Sequence, residues 1–275
     1  MKIGVIGTGN MGSILIHAFI ESESVHAADL TMTNRTIEKA YRLKALYPDM
    51  TVASSAHEVA RSSDIIFVCV KPIQFYPLLK DIRPVLSEEK IVISITSPIT
   101  LDELESVVPC QVARVVPSVT NRSLSGCTLV TFGNRITESN QQRLWHLVKR
   151  FSEPVLIEEK NIRIASDIVS CGPAFFSYLI QRFIDGAINQ TSITKEQATD
   201  LASQMFIGFG KLLEKKIYTL ETLQDKVSVK GGVTGVGIEV LEHEVGDMFE
   251  QLIQSTHRKY DEDRKEIIEQ FFSKS

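Results

Sequence analysis

The stretch Lys2–Gly12, KIGVIGTGNMG, decides the fold. Residues 2–6 form a short apolar run that reads as a β-strand and stops at Gly7. From Met11 onward Ile14, Leu15, Ala18 and Phe19 recur at helical spacing. Between the two, Gly7, Gly9 and Gly12 stand in G-x-G-x-x-G order. That hexapeptide carries little information alone, but between a strand and a helix it marks a dinucleotide-binding turn. The first glycine permits the tight turn, the second lets a pyrophosphate reach the backbone, and the third lets helix and strand pack closely. The anion then lies at a helix N-terminus, where unpaired amides and the dipole favour negative charge. A glycine-rich turn that holds no ligand is the alternative. Gly7, Thr8, Gly9, Asn10, Met11 and Gly12 are the expected cofactor contacts of this turn.

The pattern continues outward from there. Leu30–Asn34, Asp64–Val70, Ile91–Ile95 and Val112–Val116 read as strands, with helices at Ile37–Leu46 and Leu101–Val108 among them. Leu129–Phe132, a helix at Gln141–Phe151, and Val155–Ile157 extend the series. Near-continuous apolar strands alternating with helices predict a doubly wound, Rossmann-type parallel sheet covered on both faces. The chain has 275 residues, 43% hydrophobic and 23% charged, enough for one large domain or two medium ones. Its net charge of −4 gives no basic footprint for nucleic acid. The apolar run Ile65–Val70 is far shorter than the roughly 20 residues of a membrane span. No signal-peptide pattern opens the chain, so a cytoplasmic location is expected. The four cysteines, Cys69, Cys110, Cys127 and Cys171, are dispersed and form no CxxC, which predicts free thiols. No cluster has metal-ligand spacing, and no metal is expected.

The end of the second strand reports the kind of dinucleotide. NAD sites usually place a carboxylate there, on the ribose 2′-hydroxyl. This chain has Asn34, Arg35 and Thr36 instead, unless the strand ends early and Asp29 takes that place. Arg35 offers a planar, permanently charged fork suited to a 2′-phosphate. The reading is NADP(H), with Arg35 as a solvated helix-start residue the alternative.

From about Lys160 the chain turns helical. Ala198, Leu201, Ala202, Met205, Phe209, Leu212 and Leu213 keep helical spacing, with Thr194 and Gln197 placed as a capping box. Phe175–Ile188 is apolar nearly all round, which predicts burial. About 110 residues have little interior, so a partner subunit is expected to supply part of it. The expected division is 1–159 for the cofactor and 160–275 for a helical part, with a hinge near Glu158–Ile162. The charged tail, DEDRKEIIEQFFSKS, reads as a frayed helical end. One feature interrupts the helices. Val227–Gly237, VSVKGGVTGVG, holds four of the chain's 15 glycines, at roughly 0.5–1 kcal/mol each inside a helix.

These motifs, together with Val70, Lys71 and Pro72, CGPAF at Cys171–Phe175 and DKVSVKGGVTGVGIEVLE at Asp225–Glu242, resemble the pyrroline-5-carboxylate reductase family. The resemblance runs collinearly over nearly the whole chain, and is closest to the family's divergent ComER-type, late-competence paralogues. It implies a Rossmann domain followed by a helical dimerisation domain, NADPH as reductant, and Val70–Pro72 against the cofactor. It implies that the amides of the Gly231, Gly232 and Val233 turn grip the carboxylate of a cyclic imino acid in a cleft shared by two subunits, with Lys230 and Cys171 at substrate-binding positions; Lys230 adds a cation near that carboxylate or points into water. The implied role of Thr234 is catalytic, its hydroxyl reaching the ring nitrogen. The amides of such a turn suit a small anion; a tight helix crossing is the alternative. A homodimer or higher oligomer is implied.

The chain departs from the family at several positions. The family's S-G-S-G-P-A-Y is here Val169, Ser170, Cys171, Gly172, Pro173, Ala174 and Phe175. S-P-G-G-[TA]-T becomes Val229, Lys230, Gly231, Gly232, Val233 and Thr234, and P-N-T-P becomes Pro117, Ser118, Val119 and Thr120. These changes motivate a second reading, a developmental regulator that binds NADP and has little or no turnover. A third reading, a β-hydroxyacid dehydrogenase, expects a lysine on the helix after Gly172, and PAFFSYLIQRFIDGAINQ has none. His243 and His257 sit in charged helical contexts and are expected to be solvated or packed.

Overall fold

Residues 1–229 and 231–272 are described by a computed structural model of the chain. The first unit is built on strands β1 (Ile3–Ile6), β2 (Leu30–Thr33), β3 (Thr51–Val52), β4 (Ile65–Val68), β5 (Ile91–Ser94), β6 (Gln111–Val116), β7 (Cys127–Phe132) and β8 (Glu153–Leu156). They form one sheet in the order β3-β2-β1-β4-β5-β6-β7-β8. Every pairing is parallel except β6 with β7, which is antiparallel. That pair is the departure from an all-parallel sheet. It is reached through a short 3-10 turn at Val119–Ser123, too short for a parallel crossover.

Strand alternation builds two cores, one on each face. Ile3, Val5, Ile65, Phe67, Ile91 and Ile93 join one, with Phe19 of helix α1 (Asn10–Glu21) and Phe151. The rings of Phe19 and Phe67 lie 5.1 Å apart. Ile6, Ile66, Val68 and Val92 join the other, with Phe75 and Leu79. Helix α2 (Ile37–Leu46) covers the first face. Helices α3 (Ala56–Ser62), α4 (Phe75–Ile82) and α5 (Leu101–Val107) contribute to the second. Full burial of each large apolar side chain contributes about 1.5–3 kcal/mol. Helix α6 (Glu138–Lys149) lies before β8, and α7 (Ile162–Ser166) follows it.

The chain forms two compact units: residues 1–173 with 255–275, and residues 174–254. The first therefore continues past Glu158–Ile162. After α7 the helix widens into a π-turn at Asp167–Cys171 and resumes as α8 (Gly172–Gln190).

The second unit holds most of α8, then α9 (Lys195–Glu214), α10 (Leu220–Val227), α11 (Val233–Val245) and the start of α12 (Met248–Phe272). Thr194 and Gln197 form their capping box. Its fully buried apolar set is small, Ile184, Ala198 and Ala202. Phe183, Leu201 and Met205 are exposed in the single chain.

The tail corrects an expectation. It is not frayed through residue 272: α12 runs unbroken to Phe272, and Ile267 is only 1% exposed in the second core. Phe271 packs on Tyr76, their ring centroids 5.0 Å apart.

Candidate active site

The carboxyl ends of β1, β2 and β4 point the same way, and the strand order reverses between β1 and β4. Such a switch point opens a crevice for a ligand. A cleft of about 490 Å³ lies there, lined by Gly7, Gly9, Asn34, Arg35, Thr36, Val70 and Lys71 among others. Thr8, Asn10, Met11, Gly12 and Pro72 stand in the same turns without lining it.

Each glycine of the turn has its own physical reason. Gly7 has φ +103°, and a Cβ there would sit 2.4 Å from the Cys69 carbonyl oxygen. A Cβ on Gly12 would sit 2.0 Å from the Gly7 carbonyl oxygen. At Gly9 it would meet nothing within 4 Å. Gly9 is also the N-cap of α1, with no side-chain cap bond. The first-turn amides of α1 therefore lack intrahelical acceptors and face an open side. Thr8 Oγ1 is buried without a hydrogen-bond partner among the described residues. An orphaned hydroxyl and uncapped amides beside a bare glycine suit a pyrophosphate, so the residues present fit a dinucleotide.

Asn34 has a structural role that its place in the sequence does not reveal. Its Oδ1 accepts the Thr8 amide at 2.9 Å, and its Nδ2 donates to the Thr36 carbonyl at 2.9 Å. Its amide braces the two ligand-facing turns. Arg35 is exposed at the cleft, and Lys39, one turn into α2, lines it as well. Asp29 lies in the 3-10 turn before β2, at the opposite end of that strand from Arg35, so no carboxylate takes the NAD position. Ser55 caps α3 by accepting the Glu58 amide, and Ser54, Gln74 and Leu78 complete the wall. Burial pushes the Cys69 thiol well above the usual range, so it stays protonated.

Cys171 closes the π-turn. Its Sγ lies 3.6 Å from Arg163 Nη2. Burial raises the thiol's pKa and Asp167 adds to this, while the guanidinium acts in the opposite direction. Asp167 is 3% exposed; it pairs with Arg163 and accepts a hydrogen bond from Thr256 Oγ1 at 2.8 Å. His257 Nε2 is 3.5 Å from the same carboxylate. His243 is exposed beside Glu244.

In the second unit Gly231 has φ +75° and Gly232 is the N-cap of α11, again without a side-chain cap. Val233 is 93% exposed and Thr234 is exposed on the first turn. Lys230 lies outside the described residues. Among the described residues no group of His, Cys, Asp and Glu is placed to hold a metal, and no helix is long and apolar enough to cross a membrane.

The sheet, the glycine turn and an arginine in place of the β2 carboxylate define a Rossmann oxidoreductase of the NADP-using class. Residues 2–98 match the family described as NADP oxidoreductase coenzyme F420-dependent, and residues 159–263 match pyrroline-5-carboxylate reductase dimerisation. The chain is 53% identical to ComE operon protein 4 of Bacillus subtilis (strain 168) over 98% of this chain and 99% of that protein. It is 29% identical to pyrroline-5-carboxylate reductase 3 of the same organism, over 94% of this chain and 96% of that one. Among solved structures, Plasmodium falciparum pyrroline carboxylate reductase with NADP bound superimposes with a TM-score of 0.83 at 24% identity, covering 97% and 98% of the two chains. The chain belongs to the pyrroline-5-carboxylate reductase family of NADP oxidoreductases.

Proposed function

We propose that the chain reduces the C=N bond of 1-pyrroline-5-carboxylate to give proline. When bound, NADPH supplies the hydride that reaches the imine carbon, and the nitrogen gains a proton. A protonated imine is already electrophilic, so the protein's task is placement and one well-aimed hydrogen bond. The observation that carries this reading is the glycine turn in front of α11. Gly231 and Gly232 leave the amides of Val233 and Thr234 uncapped at a helix N-terminus. That is a receptor for a small carboxylate. The Thr234 hydroxyl sits on the same turn, where we assign it to the ring nitrogen. We also assign Lys230 and Cys171 to the substrate by their family positions. The first-domain assignments are the glycine turn, Asn34–Thr36 and Val70–Pro72 for the cofactor.

We take residues 1–159 as the cofactor part and 160–275 as the substrate and dimerisation part, although 160–173 and α12 from Ser255 to Phe272 belong to the first compact unit. The working form is a cytoplasmic homodimer or higher oligomer of a proline-biosynthesis enzyme. Loss of NADPH absorbance on adding 1-pyrroline-5-carboxylate tests the reaction.

A second reading has its own support. The relative at 53% identity is called an operon protein, whereas the reductases stand at 26–29%. In that reading the chain is a competence-associated regulator that binds NADP and turns over little substrate. Tight NADPH binding with no turnover of any cyclic imino acid would favour it. The chain lacks the lysine a β-hydroxyacid dehydrogenase needs after Gly172, so that reading is set aside.

A further inference from the structure

The turn that follows β5 is held by side chains from three other elements. Tyr260 Oη donates to the Ser97 carbonyl at 3.4 Å, and Arg163 Nη1 donates to Ser97 Oγ at 3.4 Å. Arg264 Nη1 donates to the Pro98 carbonyl at 2.7 Å. Arg114, fully buried in β6, donates to the Ile99 carbonyl. Three successive carbonyls are thus each committed to a donor. Arg264 acts from two sides, because the same nitrogen lies 2.8 and 2.7 Å from the two oxygens of Glu103. Glu103 in turn accepts the Thr100 amide at 2.8 Å, completing the capping box of α5. Glu103 is 3% exposed, so the pair is shielded from water.

The sheet register says what this turn borders. Ser94 of β5 lies opposite Val68 of β4, and the strands are parallel. The turn after β5 therefore leaves the sheet at the same end as Cys69–Pro72, beside the cofactor cleft. The glycine turn follows β1, Arg35 follows β2, and β4 and β5 lie on the other side of β1. A dinucleotide with its pyrophosphate on the glycine turn and its 2′-phosphate at Arg35 would have its nicotinamide end toward the β4 and β5 side of the sheet.

We propose that Arg264, from the C-terminal helix, is a positioning residue for the nicotinamide half of the cofactor. It acts through the Pro98 carbonyl and the Glu103 cap, which fix the turn on which that half rests. The inference relies on the cleft's reading as an NADP site and adds a residue beyond the family-matched segment 159–263. Ile267 and Phe271, on the same helix, anchor it to the second core and to α4, whose Leu78 lines the cleft.

The test compares two ligands. NADPH spans both halves of the site, whereas adenosine 2′,5′-bisphosphate occupies only the adenine half. The double variant Arg264→Met, Glu103→Gln removes both charges together, so no buried carboxylate is left unpaired. We expect it to bind NADPH about 5- to 30-fold more weakly by fluorescence titration, with the bisphosphate unchanged within about twofold. Tyr260→Phe, which removes only the hydroxyl on Ser97, is expected to shift the same ratio less, and serves alone if the double variant does not fold. Equal weakening of both ligands, or no change in their ratio in the variant that folds, overturns the proposal. Failure of the wild-type chain to bind the bisphosphate would instead overturn the cleft reading, and the proposal with it.

Discussion

Ser118 Oγ donates to the carbonyl of Val169 at 2.8 Å, and Ser170 Oγ donates back across the same gap to the carbonyl of Pro117 at 3.0 Å. Ser118, Val169 and Ser170 all stand at positions where the chain departs from the usual family residues. Two of the departures therefore form a reciprocal clasp between the turn after β6 and the π-turn that ends at Cys171. Ser118 is 1% exposed, and its loss leaves the half-buried Val169 carbonyl without this donor. Such a loss costs about 1–3 kcal/mol. We expect Ser118→Ala and Ser170→Ala each to lower Tm by several degrees, at about 2–4 °C per kcal/mol for a chain of this size. The double variant should lose less than the sum, because the two bonds hold the same gap. Strict additivity in a thermal-melt cycle would show that the clasp is two independent contacts.

Cofactor choice rests on the two turns that Asn34 braces. Arg35→Ala removes a charge-assisted bond of about 1.5–3 kcal/mol, which corresponds to roughly 10- to 150-fold in NADPH affinity. NADH should be nearly unaffected. Asn34→Ala frees the Thr8 amide and the Thr36 carbonyl together, so both cofactors should weaken, by about 5-fold or more. Fluorescence titration with each cofactor separates the two patterns. Equal loss of NADPH and NADH in Arg35→Ala would remove Arg35 as the phosphate reader.

The glycine turn and Arg35 are legible in the sequence because local spacing sets them. Strand, turn and helix are consecutive, and the missing carboxylate is visible at a known offset. The brace through Asn34 is not, since an amide that bonds to Thr8 looks the same as one that faces a ligand. Arg264 is hidden more deeply. DEDRKEIIEQFF has the pattern of a solvated amphipathic helix, and its partner Glu103 already has a local role as a capping residue. Long-range ion pairs leave no periodic trace. The direction of β7 is likewise silent, because an apolar strand reads the same in either sense. The two-residue β3 is too short to show alternation.

Acid should weaken the contact between α1 and α2. His17 Nδ1 lies 2.7 Å from Tyr47 Oη, and burial, with Arg122 nearby, holds its pKa below 6.5. Glu21 opposes this only in part. A folded pKa below the unfolded one means that the unfolded chain binds more protons within that window. This contribution to stability is present above about pH 6.5 and is lost as pH falls through the folded value. His17→Gln keeps a hydrogen-bonding group toward Tyr47 and removes the titration. Its urea midpoint should fall less than the wild type's between about pH 7.5 and pH 5. Parallel pH profiles for the two proteins would refute the assignment.

Self-association should run through the second unit. Phe183, Leu201 and Met205 are 69%, 64% and 50% exposed and edge one apolar groove, although the unit's own buried set is small. Obligate interfaces bury about 2,000 Å² or more. We expect light scattering at micromolar concentration to give a multiple of 30.8 kDa. Leu201→Glu, which places a charge in that interface, should give monomers that still bind NADPH. A wild-type monomer would contradict the expectation.

Thr234 separates the enzyme reading from the regulator reading. Its hydroxyl stands on the exposed first turn of α11, behind Gly231 and Gly232. Valine keeps the shape and removes only the hydroxyl, so Thr234→Val should leave Tm and NADPH affinity nearly unchanged. If the chain reduces 1-pyrroline-5-carboxylate, losing that one hydrogen bond costs about 1–3 kcal/mol, or about 5- to 150-fold in kcat/KM. The converse variant restores the family residues with Cys171→Ser, Val229→Ser and Lys230→Pro. An enzyme adapted to its own loop should be unchanged or mildly impaired by it. A regulator should begin nearly inactive, and the restored loop should raise turnover if loss of those side chains is what silenced it. Robust wild-type turnover that Thr234→Val does not touch would sink the assignment of Thr234 and leave the reaction standing. Tight NADPH binding with no turnover, before or after restoration, would sink the reaction and leave the regulator.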